Sequence, residues 1–193
     1  MDIAAEEVAR AQLYRLLARL LSRPMTEEDL RICRAMTGDG SEIGRALAAI
    51  SKAAQDATPA DASDEYHQLF IGLGRGELVP YGSYYLTGFL HEKPLARLRQ
   101  AMARLGIERE PGASEPEDHI AAVCDMMGGL IVGDLGTGSG LEEQKRFFDD
   151  HLGSWAGHFF KDLENAKTAR LYAPVGTLGR LLIEVEEAAF EMV

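Results

Sequence analysis

Ser114-Glu115-Pro116-Glu117-Asp118-His119-Ile120-Ala121-Ala122-Val123-Cys124-Asp125-Met126-Met127-Gly128-Gly129-Leu130-Ile131 reads as a helix with its entrance attached. Ile120, Val123, Cys124, Met127, Leu130 and Ile131 recur at steps of three and four, the period of one buried helical face. Ser114 and Glu117 have capping-box spacing, with Pro116 between them in the first turn, so the helix is predicted to begin close to Glu115. The glycine-rich run Gly133 to Gly140 is predicted to be a mobile connection beyond it.

The same periodicity extends in both directions. Val8, Leu13, Leu16, Leu17, Leu20 and Leu21 form a stripe on a helix that ends before Pro24. A second helix opens at Thr26, with Glu27, Glu28 and Asp29 where the dipole favours negative charge, and is closed by Gly38 and Gly40. Ser41 to about Gln55 follows with Ile43, Leu47 and Ile50 inward. Thr58-Pro59-Ala60-Asp61 starts a helix running to about Ile71. Gly72 to Ser83 is read as a loop, Tyr84 to Leu90 as a short helical turn, and Pro94 to Leu105 as a helix stopped by Gly106. One long helix is predicted from Leu141 to about Asn165, burying Phe147, Phe148, Leu152, Trp155, Phe159 and Leu163. A turn from Pro174 to Gly176 precedes the last helix, whose apolar face carries Leu178, Leu181, Leu182, Val185, Ala189 and Met192. No stretch alternates as a strand would, and no internal repeat is visible. The expectation is an all-α, single-domain helical bundle over 1–193, of about nine or ten helices.

Composition excludes several classes of function. With 20 Lys+Arg against 31 Asp+Glu the net charge is -11, which disfavours nucleic acid and anionic membrane surfaces and suits cationic partners. Cys33 and Cys124 have neither CxxC nor zinc-ligand spacing, and they are expected to be buried in helix faces in a reducing compartment. Met1 to Arg10 carries Glu6 and Glu7 and lacks the basic start and apolar run of a secretory signal. The apolar run Met126 to Val132 is too short and too glycine-interrupted for stable membrane insertion. A cytoplasmic location follows as an expectation. His151 and His158 share a helix face near Asp150, but the chain has no Glu-x-x-His pair such as bundle metal sites use, so no metal is expected. Ser83 lies in nothing like a nucleophile elbow, and no catalytic residue is assigned.

Three motifs carry a family resemblance: Tyr66-x-x-Leu69-Phe70, Pro80-Tyr81-Gly82-Ser83-Tyr84-Tyr85-Leu86, and Glu115-Pro116-Glu117-Asp118-His119. In type, order and approximate spacing they resemble those of the TorD, DmsD and NarJ-like chaperones, which are all-helical over nearly the whole chain. The resemblance implies a cytoplasmic TorD-type chaperone, without enzymatic activity, for redox enzyme maturation. It would bind the twin-arginine leader and the apoprotein of a DMSO-reductase-family molybdoenzyme, and delay export until the molybdopterin cofactor is inserted. It also implies a monomer with some domain-swapped dimer. Tyr66 and Tyr81 stand where some relatives carry tryptophan.

The implied peptide-binding set is Tyr66, Leu69, Phe70, Pro80, Tyr81, Ser83, Tyr85, Glu115, Pro116, Glu117, Asp118 and His119. Carboxylates at Glu115, Glu117 and Asp118 would pair with arginines in forked geometry, and the aromatic residues would line a groove for the apolar part of the leader. His119, between the apolar stripe and a polar side shared by Asp118 and Asp125, would act as a neutral donor and acceptor. Each set also has a packing explanation. Tyr66, Leu69, Phe70 and Leu73 share one helical face, and acids are what any helix entrance favours. Gly72-x-Gly74-x-Gly76 suggests a phosphate loop, and some members of the family are linked to GTP, but the run lacks both the Rossmann context and a Gly-Lys-Ser/Thr ending. Weak GTP binding, or a general helical adaptor role, is the alternative; no other cofactor is expected.

Overall fold

The computed structural model describes residues 4–109, 112, 115–135 and 140–192. Ser114, the expected cap, and residues 136–139 of the glycine-rich connection lie outside this set. The described residues contain ten α-helices and two π-helical turns, and no strand. The chain groups into two compact units, each discontinuous in sequence.

The first unit comprises Met1–Ser22 and Pro80–Trp155. It contains α1 (Ala5–Leu21), α5 (Gly82–Thr87), α6 (Lys93–Leu105), α7 (Ile120–Val132) and α8 (Leu141–Phe148). α1 lies along α7, its Tyr14, Leu17, Leu20 and Leu21 fully buried. The approach is close because Gly128 has no side chain: a Cβ there would stand 3.2 Å from the Ala11 carbonyl oxygen and 3.4 Å from Tyr14 Cβ.

The second unit comprises Arg23–Val79 and Ala156–Val193. It contains α2 (Glu27–Arg34), α3 (Glu42–Ala54), α4 (Pro59–Tyr66), α9 (Ala156–Glu164) and α10 (Ala173–Phe190). Capping boxes at Thr26/Asp29 and Thr58/Asp61 open α2 and α4 where the sequence places them. α9 and α10 pack through Gly176, where a Cβ would fall 2.8 Å from the Phe160 carbonyl oxygen and also against the Glu164 backbone nitrogen. Glu65 on α4 accepts the amide hydrogens of Arg170, Leu171 and Tyr172 at 2.8, 3.1 and 2.8 Å, and so satisfies free donors at the entrance to α10.

Four predicted boundaries are corrected. α2 stops at Arg34, whose guanidinium turns to the Ala54 and Ala57 carbonyls at 2.9 and 2.8 Å. α7 opens at Ile120 rather than near Glu115, because His119 is extended and the backbone of residues 118–120 is hydrogen-bonded to the chain at the start of α5. The long helix from Leu141 breaks into α8, a π turn at Asp149–Gly153, and α9. The π turn leaves the His151 carbonyl to accept the Trp155 indole N–H at 2.7 Å. α10 takes Pro174 into its own first turn, where no donor is required, so Pro174 to Gly176 is helix rather than turn.

Candidate functional site

In the first unit two of the three motifs are built against each other. The Gly82 amide donates to the Asp118 carbonyl and the Ile120 amide to the Pro80 carbonyl, each at 2.9 Å, forming a single antiparallel bridge between Tyr81 and His119. The buried Asp118 carboxylate accepts the Ser83 amide hydrogen at 2.7 Å and thereby caps α5 from a distant segment. Its other oxygen and the Ser83 hydroxyl are both buried, with no partner among the described residues. Gly82 is required by a close approach: a Cβ would lie 3.1 Å from Cε2 and Nε1 of Trp155. Tyr85 packs on the same indole, with ring centroids 5.8 Å apart. Pro80 and Ser83 are therefore buried parts of a clasp, and one oxygen of the Asp118 carboxylate is engaged within the fold.

The neighbouring residues are engaged in part. The Tyr81 hydroxyl donates to the exposed Glu115 carboxylate, and the Tyr81 ring meets the His119 imidazole edge-on at 5.1 Å. Glu117 accepts two bonds from Arg99, at 3.0 and 2.8 Å, on one oxygen, and its other oxygen stands 3.9 Å from Arg109 Nε. Burial pushes the Glu117 carboxyl up, but Arg99 and Arg109 together hold it below the usual carboxylate range. His119 caps α7: Nδ1 accepts the Ala121 amide hydrogen at 3.1 Å, which places the ring proton on Nε2. Burial depresses its pKa to about 4, so the ring is neutral as the sequence predicts. Its acceptor nitrogen is spent within the helix; Nε2–H has no hydrogen-bond partner among the described residues.

Beside this clasp, and wholly inside the first unit, opens a cleft of ≈ 690 Å³. Ala18 on α1, Met102 on α6, Ala121, Ala122 and Met126 on α7, and Ile107 and Leu135 give it apolar walls. Glu108, Glu115, Glu117, Asp125 and His119 bring it acid and imidazole, and Arg15, Arg19 and Arg109 bring guanidiniums. Of the predicted set, Glu115, Pro116, Glu117 and His119 line it. From sequence alone Glu108, Met102 and Met126 carry no role, and Asp125 has only a place on the polar side of a helix. The available signal was Asp125 itself, the single charge in the thirteen residues of α7.

Tyr66, Leu69 and Phe70 belong to the second unit. Leu69 is fully buried, Tyr66 nearly so and Phe70 half-buried. The Tyr66 and Phe70 rings meet edge-on at 4.8 Å, and each meets Tyr172 edge-on, at 5.9 and 6.1 Å. The motif contributes to the aromatic core of its own unit. A π turn at His67–Ile71 and the positive φ of Gly72 then carry Leu73 out to full exposure, off the shared face. The glycines that suggested a phosphate loop serve this turn. Leu78 N–H returns to the Leu69 carbonyl at 2.8 Å, a Cβ at Gly76 would lie 2.7 Å from Phe70 Cα, and no helix opens before Gly82.

Residues 37–161 match the family model described as nitrate reductase delta subunit. The chain is 27% identical over 200 residues to the chaperone protein TorD of Vibrio atlanticus, covering 92% of each chain. It is 29% identical to the chaperone protein TorD of Photobacterium profundum, covering 78% of this chain and 79% of that one. A crystal structure of an Archaeoglobus fulgidus protein, assigned as a redox enzyme maturation protein, shares the fold with a TM-score of 0.60 at 22% identity. That match covers 91% of this chain and 93% of the other.

Proposed function

The chain belongs to the nitrate reductase delta subunit family, and from that premise we propose that it is a cytoplasmic TorD-type chaperone whose cleft in the first unit receives the twin-arginine leader of a molybdoenzyme. The observation that carries this reading is the mixed lining of the cleft. A twin-arginine leader joins two guanidiniums to an apolar, helix-prone stretch, so its receptor needs carboxylates and an oily wall within one peptide's reach. Glu108, Glu115 and Asp125 supply the first, and Met102, Met126, Ile107 and Leu135 the second. Methionine suits a receptor for variable apolar residues because its unbranched, polarisable side chain re-packs at little cost. The volume falls in the range of sites that enclose a few side chains, roughly 300–1,000 Å³.

The role follows from occupancy. A chaperone that holds the leader withholds it from the export machinery, and the same complex keeps the apoprotein at hand while the molybdopterin cofactor is inserted. Nothing covalent is asked of the chain; its named relatives are chaperones. No helix among the described residues is long and apolar enough to cross a membrane, consistent with action on a client before export.

The test is calorimetric titration of the purified chain with leader peptides of molybdoenzymes encoded in the same genome, and with their twin-lysine versions. Saturable binding of the arginine leader, weakened in the lysine version, is the expected result. Absence of binding to every such leader, or nucleotide turnover in their absence, overturns the reading.

A further inference from the structure

Asp125 is an anomaly in its own helix. It is the only charged residue of α7, set between Cys124, fully buried, and Met126, nearly so. Its carboxylate lines the cleft and makes no hydrogen bond or ion pair with any described residue. The other acids of the cleft differ. Glu117 is held by Arg99, and Glu115 takes the Tyr81 hydroxyl. Glu108, like Asp125, is exposed and has no ion-pair partner among the described residues, but it stands in the segment after α6 rather than within an apolar helix.

Asp125 faces charges of both signs, with Arg15, Arg19 and Arg109 lining the same cleft. Arg15 and Arg19 of α1 share the cleft, but Arg15 is drawn to Asp134, and Asp134 is itself a second negative charge acting on Asp125. Partial burial disfavours the Asp125 carboxylate more than Arg15 favours it, and the group binds its proton more tightly than an ordinary aspartate. An exposed carboxylate on the wall of the cleft, with no hydrogen-bond or ion-pair partner among the described residues, is open to a guanidinium entering the cleft, which can make two parallel bonds to it. Met102 and Met126 beside it suit the three-carbon stem of such a side chain.

Resting on the leader-binding reading above, we propose that Asp125 is the acceptor that selects an arginine in the leader, distinguishing it from lysine by bidentate geometry. The motif acids Glu117 and Asp118 shape the site without making that contact. Lysine presents a point charge that cannot fill both carboxylate oxygens in one plane, so the preference for arginine originates here.

The experiment is a double-mutant cycle on the full chain. Wild type, Asp125→Asn and Asp125→Glu are titrated with a twin-arginine leader peptide and with peptides in which each arginine in turn is glutamine. Asp125→Asn is expected to weaken the twin-arginine peptide about 10- to 100-fold, the scale of one charged hydrogen-bonded contact. It should have little effect on the peptide lacking the partner arginine, and Asp125→Glu should recover part of the loss. Melting curves show whether each variant folds. If Asp125→Asn weakens all peptides equally, Asp125 acts through Arg15 and Asp134 on the shape of the site, and the assignment is overturned. An unchanged affinity overturns it too, while leaving leader binding standing. Failure of the wild type to bind any leader removes the functional reading itself.

Discussion

Replacing Asp118 with alanine separates the two roles that residue has been given. In the structure it is 3% exposed and accepts the Ser83 amide hydrogen at 2.7 Å. A hydrogen bond to a charged group contributes about 1.5–3 kcal/mol, and its loss would leave a buried amide unsatisfied at the start of α5. The other carboxylate oxygen has no partner among the described residues, so truncation also removes an unfavourable burial and offsets part of the loss. A net destabilisation of about 2 kcal/mol results, which for a chain of this size lowers Tm by roughly 4–8 °C. Asp118→Asn retains the acceptor and should stay within about 1 kcal/mol of wild type. The assay is thermal unfolding by circular dichroism, with urea titration alongside and leader affinity measured on the same samples. An Asp118→Ala protein that melts like wild type but no longer binds leader would refute the capping role and return Asp118 to the ligand contacts.

Gly82→Ala places a methyl 3.1 Å from an indole that cannot yield, since Trp155 is buried and its N–H is tied to the His151 carbonyl. Overpacking of about 1–3 kcal/mol exceeds the roughly 0.4–1 kcal/mol gained by restricting the unfolded chain, so Tm falls and the Trp155 emission shifts; a stabilised variant would show that the indole moves freely. Gly176→Ala meets backbone rather than side chain, at the Phe160 carbonyl and the Glu164 nitrogen, and α9 must part from α10. A loss of more than about 3 kcal/mol is expected, read as failure to accumulate folded protein, and a near-wild-type melt would contradict that packing. The pKa of His119 is depressed from the ordinary 6.5 to about 4, so the unfolded state binds the extra proton first. Its contribution is intact above pH 6.5 and is lost as pH falls towards 4, with a slope of up to about 1.4 kcal/mol per pH unit. His119→Gln should flatten that part of the profile, and identical slopes would show that the ring protonates freely in the fold.

The extent of what was legible differs between particular elements. The Thr26 and Thr58 capping boxes could be placed because their partners lie three residues away and the signal is local. The entrance to α7 was misplaced because the backbone of residues 118–120 pairs with Pro80 to Gly82, more than thirty residues earlier, and that pairing overrides a good helix-start composition. The same pairing explains why Asp118 and Glu117, acids that look free in sequence, are occupied by Ser83 and Arg99.

Periodicity, capping residues and glycine placement, all set by neighbours within one or two turns, determined that this chain is helical throughout and roughly where most of its helices lie. Its motifs likewise marked its family. Which polar groups remain open to a ligand was decided only by tertiary structure, because an ionised group's availability depends on what the fold brings within hydrogen-bonding distance. That is why the motif acids Glu117 and Asp118 are engaged within the fold, while Asp125, the single charge of an apolar helix, faces the cleft without a hydrogen-bond or ion-pair partner among the described residues.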